Sequence, residues 1–140
     1  MFRIQSQLPG QAKRAMQVLG WITCARRELG TLELQHGLAV EQGTTELDPD
    51  NIPQLDHLVS ICAGLVTVNE EAGTVRLVHS TAQEYLKSTH HSWFPDIQKE
   101  LMNTCVSYLS YKAFEEGPRR ETKTYEHWIR QMRSAYPFLV

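Results

Sequence analysis

The chain has 140 residues, 41% hydrophobic and 21% charged, with a formal net charge of −2. That balance fits one globular domain with a substantial core. With no low-complexity tract and no fixed period, it excludes disordered, fibrous and solenoid architectures.

From 12 to 25, apolar residues at Ala12, Ala15, Met16, Val18, Leu19, Trp21 and Ile22 cover a wide helical arc opposite Lys13, Gln17 and Gly20, which predicts a core-facing first helix. Gly30 stops the chain there. Thr31 is placed to cap a second helix running to Ala39, with Glu33 in its first turn and Leu34 and Leu38 on its buried face. The polar run EQGTTELDPDN (41–51) is a loop. Asn51 and Pro53 then read as the cap and first turn of a third helix, in which Ile52, Leu55, Leu58, Val59 and Cys62 repeat at helical spacing until Gly64 ends it.

Two short β-branched runs, 65–68 and 75–78, flank a loop whose Gly73 can supply a positive φ, so they predict a β-hairpin. Thr81 and Glu84 stand at capping-box spacing, which starts a fourth helix carrying Ala82, Tyr85 and Leu86 and leaves His79 at a strand-to-helix corner. Pro95 and Asp96 open a longer helix with Ile97, Leu101, Cys105, Tyr108 and Leu109 on one face, ending before Gly117 and Pro118. A polar linker to Thr124, a last helix over 125–134 and an apolar end, YPFLV, complete the chain, which reads as cut from something larger. The fold class expected is mainly α with a β-hairpin: a lead-in over 1–10, a winged-helix unit over 11–88, and a small helical extension over 89–140, truncated at its C-terminal end.

The longest apolar stretch, 58–68, contains Ser60, Gly64 and Thr67 and reaches about half of the ~20 residues that a bilayer span needs. The opening MFRIQSQLPG is too polar for a secretory signal. No membrane partner is expected, and the localisation expected is cytoplasmic. Cys24, Cys62 and Cys105 are odd in number, far apart and set among apolar neighbours, as buried free thiols in a reducing compartment would be.

Charge is unevenly distributed. Residues 1–27 carry five cations and no carboxylate, whereas 28–74 carry nine carboxylates and neither Lys nor Arg. The acidic block is either a solvated face or a charge-matched docking surface. In a winged helix the third helix is the element that would enter a DNA groove, and phosphate neutralisation needs Lys or Arg. The second helix, third helix and wing are all read as lying in the block that lacks both, where Asp48, Asp50 and Asp56 would face the phosphates instead, so no nucleic-acid partner is expected.

Chemistry is sparse. No Gly is followed by Lys, so the phosphate loop G-x-x-x-x-G-K-[ST] is missing, and so is the nucleophile elbow G-x-S-x-G; Ser80 beside His79 is no substitute. His36, His57, His79, His90, His91 and His127 and the three cysteines show no paired ligand spacing, His90 and His91 being at most a surface loop. The aromatics Trp21, Tyr85, Trp93, Tyr108 and Tyr111 fall mostly at core spacing. No catalytic residue, no metal and no cofactor of its own are expected.

The segments VLGWITCARRELGTLELQHGLAVE (18–41), LDHLVSICAGLVTVNEEAGTVRLVHSTAQEYLKS (55–88), WFPDIQ (93–98), TCVSYLSYKAFEEG (104–117) and YPFL (136–139) carry a resemblance. In that order they resemble the winged-helix domain that follows the NACHT nucleotide-binding domain in NLR-like signal-transduction (STAND) ATPases of filamentous fungi, often with ankyrin repeats further on. The family is named after a lipid-anchor inositol deacylase, none of whose catalytic machinery is present here. Glu28 stands where Pro is usual, Ser80 where an aromatic is usual, and 119–134 diverges.

The resemblance implies a non-catalytic regulatory module whose partners are an intramolecular NACHT domain and a downstream helical or ankyrin region. Oligomers would form only in the full-length context. It also implies that ADP or ATP of the NACHT domain is contacted by a His following a β-strand. VRLVHSTAQEY (75–85) makes His79 that residue, with local backbone capping as its alternative role. The competing readings are a winged-helix nucleic-acid binder and a degenerate freestanding fragment without activity.

Overall fold

A computed structural model describes residues 1–112; the linker, the last helix and the apolar end expected from the sequence lie outside the described residues. In chain order the elements are α1 (Phe2–Gln5), α2 (Pro9–Cys24), β1 (Leu29–Gly30), α3 (Thr31–Ala39), a 3-10 turn (Pro49–Asn51), α4 (Leu55–Ile61), β2 (Val66–Asn69), β3 (Thr74–Leu77), α5 (Ser80–Trp93) and α6 (Ile97–Leu109).

Helix α2 begins three residues before the expected start because Pro9 fits the first turn, where its missing N–H costs no hydrogen bond. Ala15, Val18, Leu19 and Trp21 are buried as the pattern predicts. Gly20, expected on the opposite, open face, is buried as well. A Cβ there would lie 2.7 Å from Ile97 Cδ1 and 3.2 Å from Phe94 Cδ1, so the glycine admits the start of α6 against α2. Helix α2 is thereby covered on more than one side, touching α1, α4, α5, α6 and β3. Ile4, in the expected lead-in, is fully buried in the same core.

The expected hairpin is present, one residue later in its first strand and one earlier in its second, with Val66 opposite Leu77 and Val68 opposite Val75, and Gly73 at φ 63°. A third strand joins it. Leu29 pairs with Val75 and Gly30 with Thr74, giving the order β1-β3-β2. Two residues are too few to display alternation, and β1 exists only because the wing comes back to it: Thr31 N donates to Gly73 O at 2.9 Å and Thr74 Oγ1 to Glu28 Oε2 at 2.7 Å.

Helix α3 is capped at Gly30 rather than Thr31, Glu33 accepting from the Gly30 amide at 2.7 Å. The third major helix, α4, starts at Leu55 with Gln54 as its cap, not at Asn51. Pro53 drives its predecessor toward extended backbone, and Ile52 obeys with φ −69° and ψ 113°, leaving 49–51 as a separate 3-10 turn. Helix, strand, helix, helix and two-stranded wing follow one another from α2 to β3, which is a winged-helix unit.

Beyond the wing, α5 starts at Ser80 with His79 as its cap, so the Thr81–Glu84 capping box does not form. Val78 N still donates to Leu65 O at 2.9 Å; the hairpin pairing ends there and the helix begins two residues later. Helix α5 runs without a break past residue 88. Leu86 is buried, but Tyr85, expected to pack, is 50% exposed. In α6, capped at Asp96 and ending at Leu109 rather than just before Gly117, the expected Ile97, Leu101, Cys105 and Tyr108 are buried. Leu109 is not: Tyr108 takes the inward position, its ring tilted against that of Tyr111 with centroids 5.5 Å apart, forming a satellite cluster with Val40 and Leu47.

All three cysteines are free. Burial pushes the Cys62 thiol up to about 12 and the Cys105 thiol to about 11, and raises the half-buried Cys24 less far. At pH 8 a thiol of pKa 12 is ionised to only ~10⁻⁴, and the thiolate is the reacting species. Iodoacetamide should therefore label Cys24 first in the native chain and reach Cys62 and Cys105 only with denaturant, as peptide mass mapping would read. Rapid native labelling of Cys62 would contradict the packing.

Candidate functional site

Two surfaces bear on function, the exposed side of α4 and the corner between β3 and α5. In α4, Leu58 and Ile61 face the core, and Asp56, His57 and Ser60 are exposed. The start of α4 is tied to α3 by Gln35 Nε2, which donates to Pro53 O at 2.8 Å. Before it, Asp48 caps the 3-10 turn by accepting from Asp50 N at 2.9 Å, and Asn51 Nδ2 donates to Glu41 Oε1 at 3.0 Å. Glu41, Glu46, Asp48, Asp50 and Asp56 are all exposed, so α4 and the loop leading to it carry carboxylates outward and no cation.

Two details depart from the sequence reading of charge. Glu33, part of the acidic block, is buried at 4% exposure and paired with Arg27 rather than solvated. The wing, expected to lack cations throughout, has one in its second strand: Arg76 is exposed on β3.

At the corner, Leu77 is buried, and Val78, His79 and Ser80 are exposed. His79 has extended backbone, φ −123° and ψ 140°, and its carbonyl accepts from Gln83 N at 3.2 Å while its ring forms no cap hydrogen bond. The imidazole is thus not used to satisfy the helix start, and the first amides of α5 lack a side-chain cap, which leaves them as donors facing outward. Beside the corner lies a hollow of about 280 Å³ bordered by Ile22, Glu28, Arg76, Val78, Ser80 and Gln83. Val78, 43% exposed, adds apolar area. The sequence points to His79 but not to Arg76 or Val78. The signal for Arg76 was its place in the second strand, opposite Thr67.

Among the described residues the remaining histidines gather no site. His90 and His91 lie in the last turn of α5 rather than in the expected loop, their rings tilted by 41° with centroids 3.7 Å apart and His90 Nδ1 2.7 Å from Lys87 O. Burial lowers the pKa of His36. Among the described residues no group of three or more His, Cys, Asp and Glu is placed to hold a metal ion, and no helix is long and apolar enough to cross a membrane.

The family described as GPI inositol-deacylase, winged helix domain, matches residues 4–100. The chain belongs to this family. No curated protein and no solved structure matches it. The GPI inositol-deacylase winged-helix match runs from Ile4, the buried residue of α1, into the first turn of α6, so both the α4 face and the His79 corner lie within the part that defines the family.

Proposed function

We propose that this winged-helix domain is a non-catalytic regulatory module of a NACHT-type NTPase, packing on the nucleotide-binding domain and coupling its nucleotide state to the rest of the protein. The observation that carries the reading is the polarity of α4. The helix that a DNA-binding winged helix inserts in the major groove here exposes Asp56, His57 and Ser60 behind a loop of carboxylates. Each phosphate contact needs a cation to release its counterions, and a carboxylate near the backbone adds repulsion instead. A protein surface is the better counterpart. The NACHT context rests on the sequence resemblance. In support of it, His79 presents an imidazole that no local cap engages, at the start of α5, where backbone amides lack a side-chain cap, an arrangement suited to a phosphate edge of a nucleotide held by another domain.

Two measurements test this. His79→Leu in the intact parent protein should cut retained ADP about ten- to hundredfold, the worth of one charge-assisted hydrogen bond of roughly 1.5–3 kcal/mol. Unchanged retention removes the sensor role. The isolated chain should give no shift with duplex DNA at low salt; a shift that fades as salt rises would favour the nucleic-acid reading over the module.

A further inference from the structure

The segment WFPDIQ (93–98) belongs neither to the α4 face nor to the His79 corner. It forms the turn between α5 and α6, at the far end of α5 and about 20 Å from His79. Phe94 and Ile97 are both 5% exposed and rest against α2 where Gly20 admits them, so the turn is anchored. Trp93 is different. It is only half-buried and lines a hollow of about 220 Å³ between this turn and α2, with Met16, Phe94 and Ile97 supplying apolar walls. That volume is worth about seven waters, the scale of one long side chain and too small for a folded element.

The charges around the hollow do not balance. Asp96 and Glu100 stand four residues apart, which puts both carboxylates on one side of the start of α6, and Glu100 N donates to Asp96 O at 2.9 Å, so the helical register behind this spacing is intact. Lys13, exposed on α2, is the one cation among the described residues that line it. No hydrogen bond or ion pair among the described residues engages the side chain of Lys13, Asp96 or Glu100. Two carboxylates beside an indole and apolar walls match a flat, weakly hydrated cation. A guanidinium can lay its face on the ring while its forked N–H groups reach the carboxylates, whereas an ammonium holds its water more tightly. An anion would meet two like charges for one opposite.

We propose that this hollow is a socket for an arginine side chain carried on the surface of another protein, with the guanidinium over Trp93 and donating to Asp96 and Glu100. It lies at the opposite end of α5 from the His79 corner and survives or fails without the nucleotide-coupling reading.

NMR titration of the full chain with N-acetyl-arginine methylamide tests it. The Trp93 indole N–H and the Ile97 and Glu100 amides should shift and saturate with a Kd on the order of millimolar, the affinity expected of so small a ligand. The double variant D96N/E100Q, which alters no core side chain, should weaken binding at least about fivefold. K13Q should bind no more weakly than the unaltered chain, and the lysine and leucine analogues should bind more weakly than the arginine one. No saturable shift, a loss in D96N/E100Q smaller than that, or a lysine or leucine analogue that binds as well would overturn the proposal. Weaker binding in K13Q would also overturn it, because the hollow would then be selecting an anion. Free arginine that binds tenfold more tightly than the blocked residue would make the occupant a metabolite, and a dimer in sedimentation that D96N/E100Q dissolves would make it a second copy; either result overturns the assignment to another protein.

Discussion

Glu33→Ala should lower the unfolding free energy by about 2–4 kcal/mol, with little change in the denaturant slope. The Glu33 side chain is 3% exposed and spends both carboxylate oxygens. Oε1 accepts from Arg27 Nη2 at 2.7 Å, and Oε2 accepts from Arg27 Nη1 at 3.2 Å and from the Gly30 amide at 2.7 Å. Removing it strips the α3 start of its cap, worth about 1 kcal/mol, and takes from the guanidinium its forked acceptor. Arg27 is 31% exposed, so water recovers part of that loss and the total falls toward or under the lower end of the roughly 3–5 kcal/mol of a fully buried broken pair. Arg27→Ala should cost about 2–3 kcal/mol by leaving a buried carboxylate with one N–H, and Arg27→Lys should restore little, since an ammonium cannot make the fork. The double variant should fall short of the sum of the singles by at least about 1 kcal/mol. Urea unfolding of the four chains checks this; additive losses would mean that the pair is not a unit. Because Glu33 also fixes Gly30, which pairs with Thr74, the same variants should loosen the wing.

The features legible in the sequence were those written locally. The hairpin followed from two β-branched runs around Gly73, the face of α3 from Leu34 and Leu38, and the start of α6 from Pro95 and Asp96. Contacts between distant segments escaped. Strand β1 is two residues long and is defined by Val75 and Thr74, more than forty positions away. Gly20 looked solvent-facing because periodicity sees one buried arc, whereas α6 docks on a second. Leu109 looked buried because it neighbours Tyr108 in the same arc, and only the packing of Tyr108 on Tyr111 decides which of the two turns inward. At the candidate site, His79 was found through resemblance and the strand-to-helix junction, but whether its ring caps α5 is a matter of where the helix starts. That start is set by the hydrogen bond from Val78 to Leu65 rather than by Thr81 and Glu84. Glu33 counted toward an acidic surface for the same reason: charge along a sequence does not say which carboxylate a nearby guanidinium and a helix start draw inside.

Gly37→Ala should destabilise the chain by about 1–2 kcal/mol, and Gly37→Leu by about 3 kcal/mol or more, against the usual rule that alanine in place of a helical glycine gains about 1 kcal/mol. A Cβ at Gly37 would meet Cζ3 of Trp21 and lie 2.8 Å from its Cη2. The obstacle is a planar ring held at 3% exposure, not the tip of a flexible chain, so relief requires α3 to move away from α2. Gly10, in the first turn of α2 with nothing within 4 Å, is the internal control, and Gly10→Ala should gain the usual increment. Among the described residues the buried Trp21 indole N–H has no hydrogen-bond partner, so truncating the ring removes no hydrogen bond seen there. Trp21→Phe removes the six-membered ring that would strike the new methyl. In that background Gly37→Ala should turn neutral or stabilising, a reversal of sign that a simple loss of helix quality would not produce. Thermal unfolding of the two singles and the double decides between them. Equal effects of Gly37→Ala in both backgrounds would mean that the close approach of α3 to α2 is not what holds α3, and through Gln35 the start of α4, in place.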